Sequence, residues 1–158
     1  MLPMRILMVC LGNICRSPLA DGILRNKIQN EGLNVEVDSA GTINQHAGEH
    51  PDSRMTKVAK NRGVDLSFLV ARQFVRDDFE KFDVIFVMDD SNYQNVIKLA
   101  FNDNQRNKVR MLLSEIDNQN NPVPDPYFGG EQGFIDVYNL VDKATDSIIE
   151  KLKTNQLA

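Results

Sequence analysis

Apolar positions along the chain follow two kinds of pattern. The first is the unbroken run. Arg5 to Cys10 is apolar at every position after the arginine, as expected of a central strand buried on both faces. The second is recurrence every three or four residues. From Ser17 to Asn30, the positions Leu19, Ala20, Ile23, Leu24 and Ile28 keep helical spacing. Ser17 is a candidate N-cap there, Pro18 suits the first turn, and Gly32 is a C-terminal stop. Val35 to Ser39 reads as a second short strand and Gly41 to Gly48 as a polar loop. Pro51-Asp52-Ser53 opens a helix carrying Met55, Val58 and Ala59, which ends near Gly63. Asp77 to Lys81 has room for one helical turn. Asp83 to Met88 is a third buried strand, and Asp90 or Ser91 caps a helix over Val96, Ile97 and Ala100. The polar stretch Asn102 to Lys108 reads as an exposed loop, and Val109 to Leu113 as a fourth strand. A Pro-rich loop, Pro122 to Gly130, precedes a last helix from Gly133 to about Leu152, with Phe134, Val137, Val141, Ile148 and Leu152 on one face.

Strands that alternate with helices predict a parallel α/β sheet covered on both faces. Ligands of such sheets bind beyond the carboxyl ends of the strands, at a switch point. Cys10 falls at the carboxyl end of the first strand. No repeat, linker or low-complexity segment interrupts the chain, so residues 1–158 are expected to form one domain.

Charge and composition remove several functions. A net charge of −4 gives no electrostatic support for nucleic-acid binding. The run Ile6 to Leu11 is too short to span a membrane, and no small-residue cleavage site follows it. The two cysteines, Cys10 and Cys15, do not make a disulfide scaffold, which fits a reducing, cytoplasmic compartment. His46 and His50, without a Cys-x-x-Cys, leave no convincing metal set, and no cofactor is expected. A dinucleotide-binding role lacks its Gly-rich turn after strand one.

The chemistry concentrates in Cys10-Leu11-Gly12-Asn13-Ile14-Cys15-Arg16-Ser17-Pro18. A tight loop between strand and helix turns successive N–H groups into a concave anion nest, and the helix adds its positive end. Gly12 permits close backbone approach, and Asn13 tolerates a positive φ. Arg16 can grip two oxygens of an oxyanion at once. A thiol set in such a positive field becomes a nucleophile toward a bound phosphate. The plainer reading is a buried strand-end cysteine and a surface arginine. A phosphate ester also needs a proton for its leaving oxygen, and Asp125, stiffened by Pro124 and Pro126, is the best candidate, against a plain turn aspartate. Ser17 can bond the thiolate as well as cap the helix. Leu11, Ile14, Tyr127 and Phe128 can line an apolar slot above the nest, deep enough for a phenyl phosphate and too deep for phosphoserine.

The stretch Val9 to Pro18 closely resembles the signature of the low-molecular-weight protein tyrosine phosphatases. Pro124-Asp125-Pro126-Tyr127 resembles the family's Asp-Pro-Tyr motif, and Asp38-Ser39-Ala40-Gly41-Thr42, Ala71-Arg72-Gln73 and Met88-Asp89-Asp90-Ser91-Asn92 resemble further family segments. The resemblance implies a three-layer flavodoxin-like (Rossmann-like) fold with a four-stranded parallel sheet of order 2-1-3-4. It implies hydrolysis of protein phosphotyrosine and small aryl phosphates through a phosphocysteine on Cys10. Arg16 and the loop amides from Leu11 to Ser17 then bind phosphate, and Asp125 is the general acid. Ser39 is implied to bond Asn13. Arg72 reads as a solvated surface charge, and Asp89 to Asn92 as a helix cap. Two departures bear on substrate choice: Gln45 stands where the family often has an aromatic, and Phe128 replaces a second tyrosine. A related group that dephosphorylates arginine has Thr at the position of Ile14, so Ile14 points to tyrosine. Cys15 is implied as a redox partner that bridges to Cys10, with a small buried residue as the alternative. Two competing functions are a thiol-dependent arsenate reductase, which needs cysteines this chain lacks after Cys15, and a non-catalytic phosphotyrosine-binding module, which has no use for Cys10 and Asp125. The expected partner is a phosphotyrosine-containing protein, with no nucleic acid or membrane, and the chain is expected to be a monomer or weak homo-oligomer.

Overall fold

The computed structural model describes residues 2–117, 120–127 and 129–157. In chain order the elements are β1 (Met4–Cys10), α1 (Arg16–Glu31), β2 (Val35–Gly41), α2 (Ser53–Lys60), α3 (Asp78–Lys81), β3 (Val84–Val87), α4 (Asp90–Ile97), α5 (Asp103–Arg106), β4 (Val109–Met111), α6 (Ser114–Asp117) and α7 (Gly130–Lys153). The strands form one sheet in the order β2-β1-β3-β4, and every pair is parallel. The flavodoxin-like order 2-1-3-4 expected from the resemblance is therefore the one observed.

The unbroken apolar run of β1 has a direct cause. Side chains alternate across a strand, and both faces of this sheet are covered. Ile6, Met8 and Cys10 enter one core with α1, α2 and α7, through Leu19, Ile23, Met55, Phe134 and Val141. Leu7 and Val9 enter the other, with Ile85, Val87, Phe79 and Val96. Nothing along β1 from Ile6 to Val9 is solvent-accessible.

Helix ends follow local chemistry. Gly32 stops α1 at φ 64°, where its own N–H and that of Leu33 close on Gln29 and Ile28. Asp52 caps α2 by accepting from the Arg54 N–H at 2.8 Å. At the start of α1 the expectation fails. The N-cap is Cys15, without a side-chain bond, and Ser17 lies inside the first turn. For α4 the cap is Asp89, one residue earlier than expected, accepting from the Asn92 N–H at 2.8 Å.

Two short helices escape a search for apolar periodicity. The segment expected as a loop, 102–108, contains α5, capped by Asn102 and tied down by buried Gln105, which bonds Glu80. The expected fourth strand stops at Met111, and Leu112 and Leu113 lead into α6 instead. There the buried Glu115 pairs with Arg110 and Lys151. Polar bonds order both segments, so their sequences carry no hydrophobic signal.

Candidate active site

The chain leaves β1 toward β2 on one side, then crosses to β3 on the other, which makes the carboxyl end of β1 the switch point of the sheet. The loop from Leu11 to Cys15 sits there. Carbonyls in it and just before it are held from outside: Thr42 donates to Cys10 O at 2.9 Å, Ile43 to Leu11 O at 3.1 Å and Asp52 to Ile14 O at 2.6 Å. Among the described residues, no amide from Leu11 to Arg16 donates to a protein acceptor. The loop therefore presents a run of uncommitted N–H groups, as an anion nest requires. Asn13 adopts φ 57°, the left-handed region that Asn accepts more readily than most residues.

Gly41 fits this loop through close approach. A Cβ on Gly41 would lie 2.8 Å from Leu11 O, 3.0 Å from Asn13 N and 3.0 Å from the Gly12 carbonyl carbon. Gly41 cannot retreat, because its N–H donates to Arg72 O at 2.8 Å and its carbonyl accepts from Phe74 N at 2.7 Å.

Side chains under the loop form a directed relay. Asn13 Oδ1 accepts from the Arg72 N–H at 3.0 Å, so its Nδ2 must face the other way, where it donates to Ser17 Oγ at 2.8 Å. Ser17 Oγ lies 3.0 Å from Cys10 Sγ and 3.4 Å from Ala40 O. With Asn13 filling an acceptor site on Oγ, the Ser17 proton is left for the sulfur or the carbonyl. Ser17 thus bonds the thiol, while the expected cap role is absent. The expected Ser39–Asn13 bond is replaced by these contacts with Ser17 and Arg72. Ser39 is buried on β2 opposite Met8. Its hydroxyl bonds the carboxyl of Asp21, fully buried on α1. Burial pushes the Asp21 carboxyl up to about 6, with Asp38 adding to the rise and Arg25 and Ser39 opposing it.

Arg16 is only 4% exposed. Its Nη1 donates to Asp89 Oδ2 at 2.8 Å and to Val123 O at 3.0 Å. Among the described residues the remaining edge of the guanidinium has no acceptor, which leaves a fork for an oxyanion. Asp89, at the carboxyl end of β3, therefore does two jobs: one oxygen caps α4 and the other orients Arg16. Only the cap was visible in the sequence. Val123 is also fixed, its N–H donating to Met88 O at 2.7 Å, so Arg16 and β3 together anchor the segment leading to Asp125.

Arg72 is not a solvated charge. It is held bidentately by buried Asp78, with both bonds at 3.0 Å, and by Asp38 at 3.1 Å, while its backbone serves Asn13 and Gly41. Nothing in the isolated motif Ala71-Arg72-Gln73 signals this, because both partners lie outside it, Asp78 across the next turn and Asp38 on β2.

Cys10, Leu11, Ile14, Arg16, Gln45, Asp125 and Tyr127 all border one cavity of about 300 Å³. Gly12 and Cys15 border it as well, together with Ile43 and His46, which sequence reasoning missed. His46 fills the space beside Gly12, its Cδ2 lying 3.0 Å from where a Cβ would stand, and its Nδ1 pairs with Glu49 at 3.0 Å. Asp125 is exposed at the rim, and its Oδ1 accepts from the Tyr127 N–H at 3.1 Å. Leu11 and Tyr127 are large exposed apolar groups at the mouth. Phe128 lies outside the described residues. Both cysteines are free and buried, and burial together with the neighbouring Cys10 pushes the Cys15 thiol far above its ordinary range. Among the described residues no three His, Cys, Asp or Glu side chains group as a metal set.

Fold and loop together define a class: parallel α/β proteins that seat an oxyanion in a Cys-x5-Arg loop at the sheet's switch point. Comparison with known proteins narrows it. The family model for low molecular weight phosphotyrosine protein phosphatase matches residues 5–157. A protein of that description from Schizosaccharomyces pombe is 42% identical over 144 residues, covering 87% of this chain and 90% of the relative. The crystal structure of a protein tyrosine phosphatase from Entamoeba histolytica, with Hepes in its active site, superposes with a TM-score of 0.90 at 39% identity, covering 98% of this chain and 99% of that one. Wzb of Vibrio vulnificus, in complex with benzylphosphonate, superposes with a TM-score of 0.83 at 27% identity, covering 94% of this chain and 98% of that one. The chain belongs to the low-molecular-weight phosphotyrosine protein phosphatase family. It is an enzyme of that kind, and neither the arsenate reductase nor the non-catalytic module is favoured.

Proposed function

We propose that the whole chain, residues 1–158, works as one domain that hydrolyses protein phosphotyrosine through Cys10. The observation carrying this reading is convergence: a thiol bonded by Ser17, uncommitted amides, half of the Arg16 guanidinium and the Asp125 carboxyl all border one cavity. The sulfur of Cys10 attacks phosphorus as the bond to the tyrosyl oxygen breaks, and Asp125 gives that oxygen its proton. Arg16 and the amides of residues 11–17 bind the equatorial oxygens. A water then attacks the thiophosphate, Asp125 takes its proton, and the thiolate leaves toward the Ser17 hydroxyl. Leu11, Ile14 and Tyr127 receive the ring, with Gln45 as the polar part of the wall. That the Vibrio vulnificus neighbour forms a complex with benzylphosphonate is in keeping with an aryl phosphate as substrate.

Our reading makes Cys15 the redox partner of Cys10. A peroxide oxidises Cys10 to a sulfenic acid and is reduced to water, the Cys15 thiol condenses with the sulfenic acid releasing water, and two external thiols then reduce the disulfide by exchange, leaving as their own disulfide. The setting is cytoplasmic, the chain a monomer or weak homo-oligomer, and the partner a phosphotyrosine protein. Among the described residues no helix is long and apolar enough to cross a membrane. The decisive experiment is rapid quenching with 32P-labelled phosphotyrosine peptide, expected to leave label on Cys10 and none in Cys10→Ser. Label on another residue overturns the assignment. A panel of phosphotyrosine, phosphoserine and phosphoarginine peptides tests the substrate class.

A further inference from the structure

Arg54 is bonded differently from Arg16. Each of its guanidinium nitrogens bonds the protein: Nε to Asp52 Oδ1 at 3.2 Å, Nη2 to Asp52 Oδ2 at 3.0 Å, and Nη1 to Tyr127 O at 3.0 Å. The group also stacks 4.9 Å from the Tyr127 ring and 4.7 Å from the Phe134 ring. Asp52 is itself anchored, since its N–H donates to Ile14 O at 2.6 Å, inside the phosphate loop. At the far end, Tyr127 donates its N–H to Asp125 Oδ1 at 3.1 Å. A continuous chain of bonds therefore runs from Ile14 through Asp52, Arg54 and Tyr127 to Asp125.

We propose that Arg54, clamped on Asp52, is a positioning residue that fixes the Asp125 loop relative to the phosphate loop, so that the acid meets the leaving oxygen of the bound ester. The proposal rests on Asp125 being that acid. A half-exposed ion pair contributes little to stability, so the clamp acts through geometry. Proton transfer falls off sharply when donor and acceptor are misplaced, and the clamp adds a tie at Tyr127 to the hold that Arg16 and Met88 already have on Val123. Partial burial of Asp52 works against its ionisation, but the bonds and charge of Arg54 outweigh it and hold the carboxyl below its ordinary range, so the clamp survives into acid.

The test compares Arg54→Met, which keeps the apolar stem, with Asp52→Asn, which keeps an N-cap oxygen while losing the charged grip. kcat/KM is measured for aryl phosphates of rising leaving-group pKa, alongside competitive inhibition by inorganic phosphate. General acid catalysis is worth about 10²–10⁴-fold, and a misplaced acid is expected to forfeit roughly tenfold of it for phenyl phosphate. For p-nitrophenyl phosphate, which needs little protonation, the loss is expected to stay within about twofold, with phosphate inhibition unchanged. Asp125→Asn is run in parallel, and adding Arg54→Met to it is expected to cost nothing further. A loss independent of leaving group, an unchanged rate, or phosphate inhibition that weakens in step with the rate overturns the clamp. A flat leaving-group dependence in Asp125→Asn overturns the acid assignment and the clamp with it. If Arg54→Met does not fold, Asp52→Asn decides.

Discussion

Replacing Gly41 by Ala tests whether the phosphate loop is held in place by contact from outside. The backbone of Gly41 is not in the left-handed region, so alanine meets no conformational penalty there, and the effect is purely one of space. The new Cβ stands 2.8 Å from Leu11 O and 3.0 Å from Asn13 N, against 3.4 Å or more for ordinary contact. All its close neighbours are backbone, so no flexible side chain can yield. Gly41 is itself pinned by Arg72 and Phe74. The loop must therefore move, by about half an ångström to restore contact distance. Overpacking of this kind costs about 1–3 kcal/mol. A displacement of 1 Å at a reacting centre costs roughly 10²-fold, so half of that is expected to lower kcat/KM by about tenfold. The assay is turnover of p-nitrophenyl phosphate with competitive inhibition by inorganic phosphate, beside a thermal melt. Both rate and phosphate affinity are expected to drop, because the same amides serve both. Activity and phosphate inhibition within twofold of the parent would refute the tight packing of loop on Gly41.

Other consequences can be measured separately. The Asp21 carboxyl, raised by burial from its ordinary 3.8 to about 6, binds its proton more tightly in the folded chain, so its contribution to stability is full below 3.8 and is lost as pH rises through 6. That shift corresponds to about 3 kcal/mol, so urea unfolding of Asp21→Asn should gain on the parent by up to that amount between pH 4 and pH 7.5, and parallel curves would contradict it. Ser17→Ala removes the hydroxyl 3.0 Å from the Cys10 sulfur, which is expected to slow release of the thiolate from phosphocysteine by about 10²-fold and make the labelled intermediate accumulate; unchanged kcat would count against this role. Asp89→Asn keeps an oxygen for the α4 cap but loses the ionic partner of the nearly buried Arg16, so stability should fall by about 1–3 kcal/mol with a lower kcat/KM, measured by thermal melt and turnover. Peroxide inactivation should reverse with added thiol in the parent and not in Cys15→Ser; equal recovery in both would remove Cys15 from redox protection.

Much of this enzyme is written locally in its chain. A strand buried on both faces must be continuously apolar, so β1 and β3 are legible. A helix on a sheet must repeat every three to four residues, so α1, α2 and α7 are legible too. The loop after β1 carries its own chemistry in consecutive residues, and Cys10, Arg16 and the anion nest follow from order alone. Charge-driven and long-range features are different. Helices α5 and α6 are ordered by Asn102, Gln105 and Glu115, whose polar bonds leave no apolar period to read. Arg72 looks like a surface cation until folding brings Asp38 and Asp78 around it. Asp89 looks like a helix cap until Arg16, far away in sequence, is packed against it. Sequence by itself put the candidate nucleophile, nest and helix next to one another, because they are neighbours along the backbone. Only tertiary structure decided what holds them to the geometry of a reaction. Hydrogen bonds and close contacts from Gly41, Arg72, Asp89 and Arg54 depend on distance in space, which no linear spacing encodes.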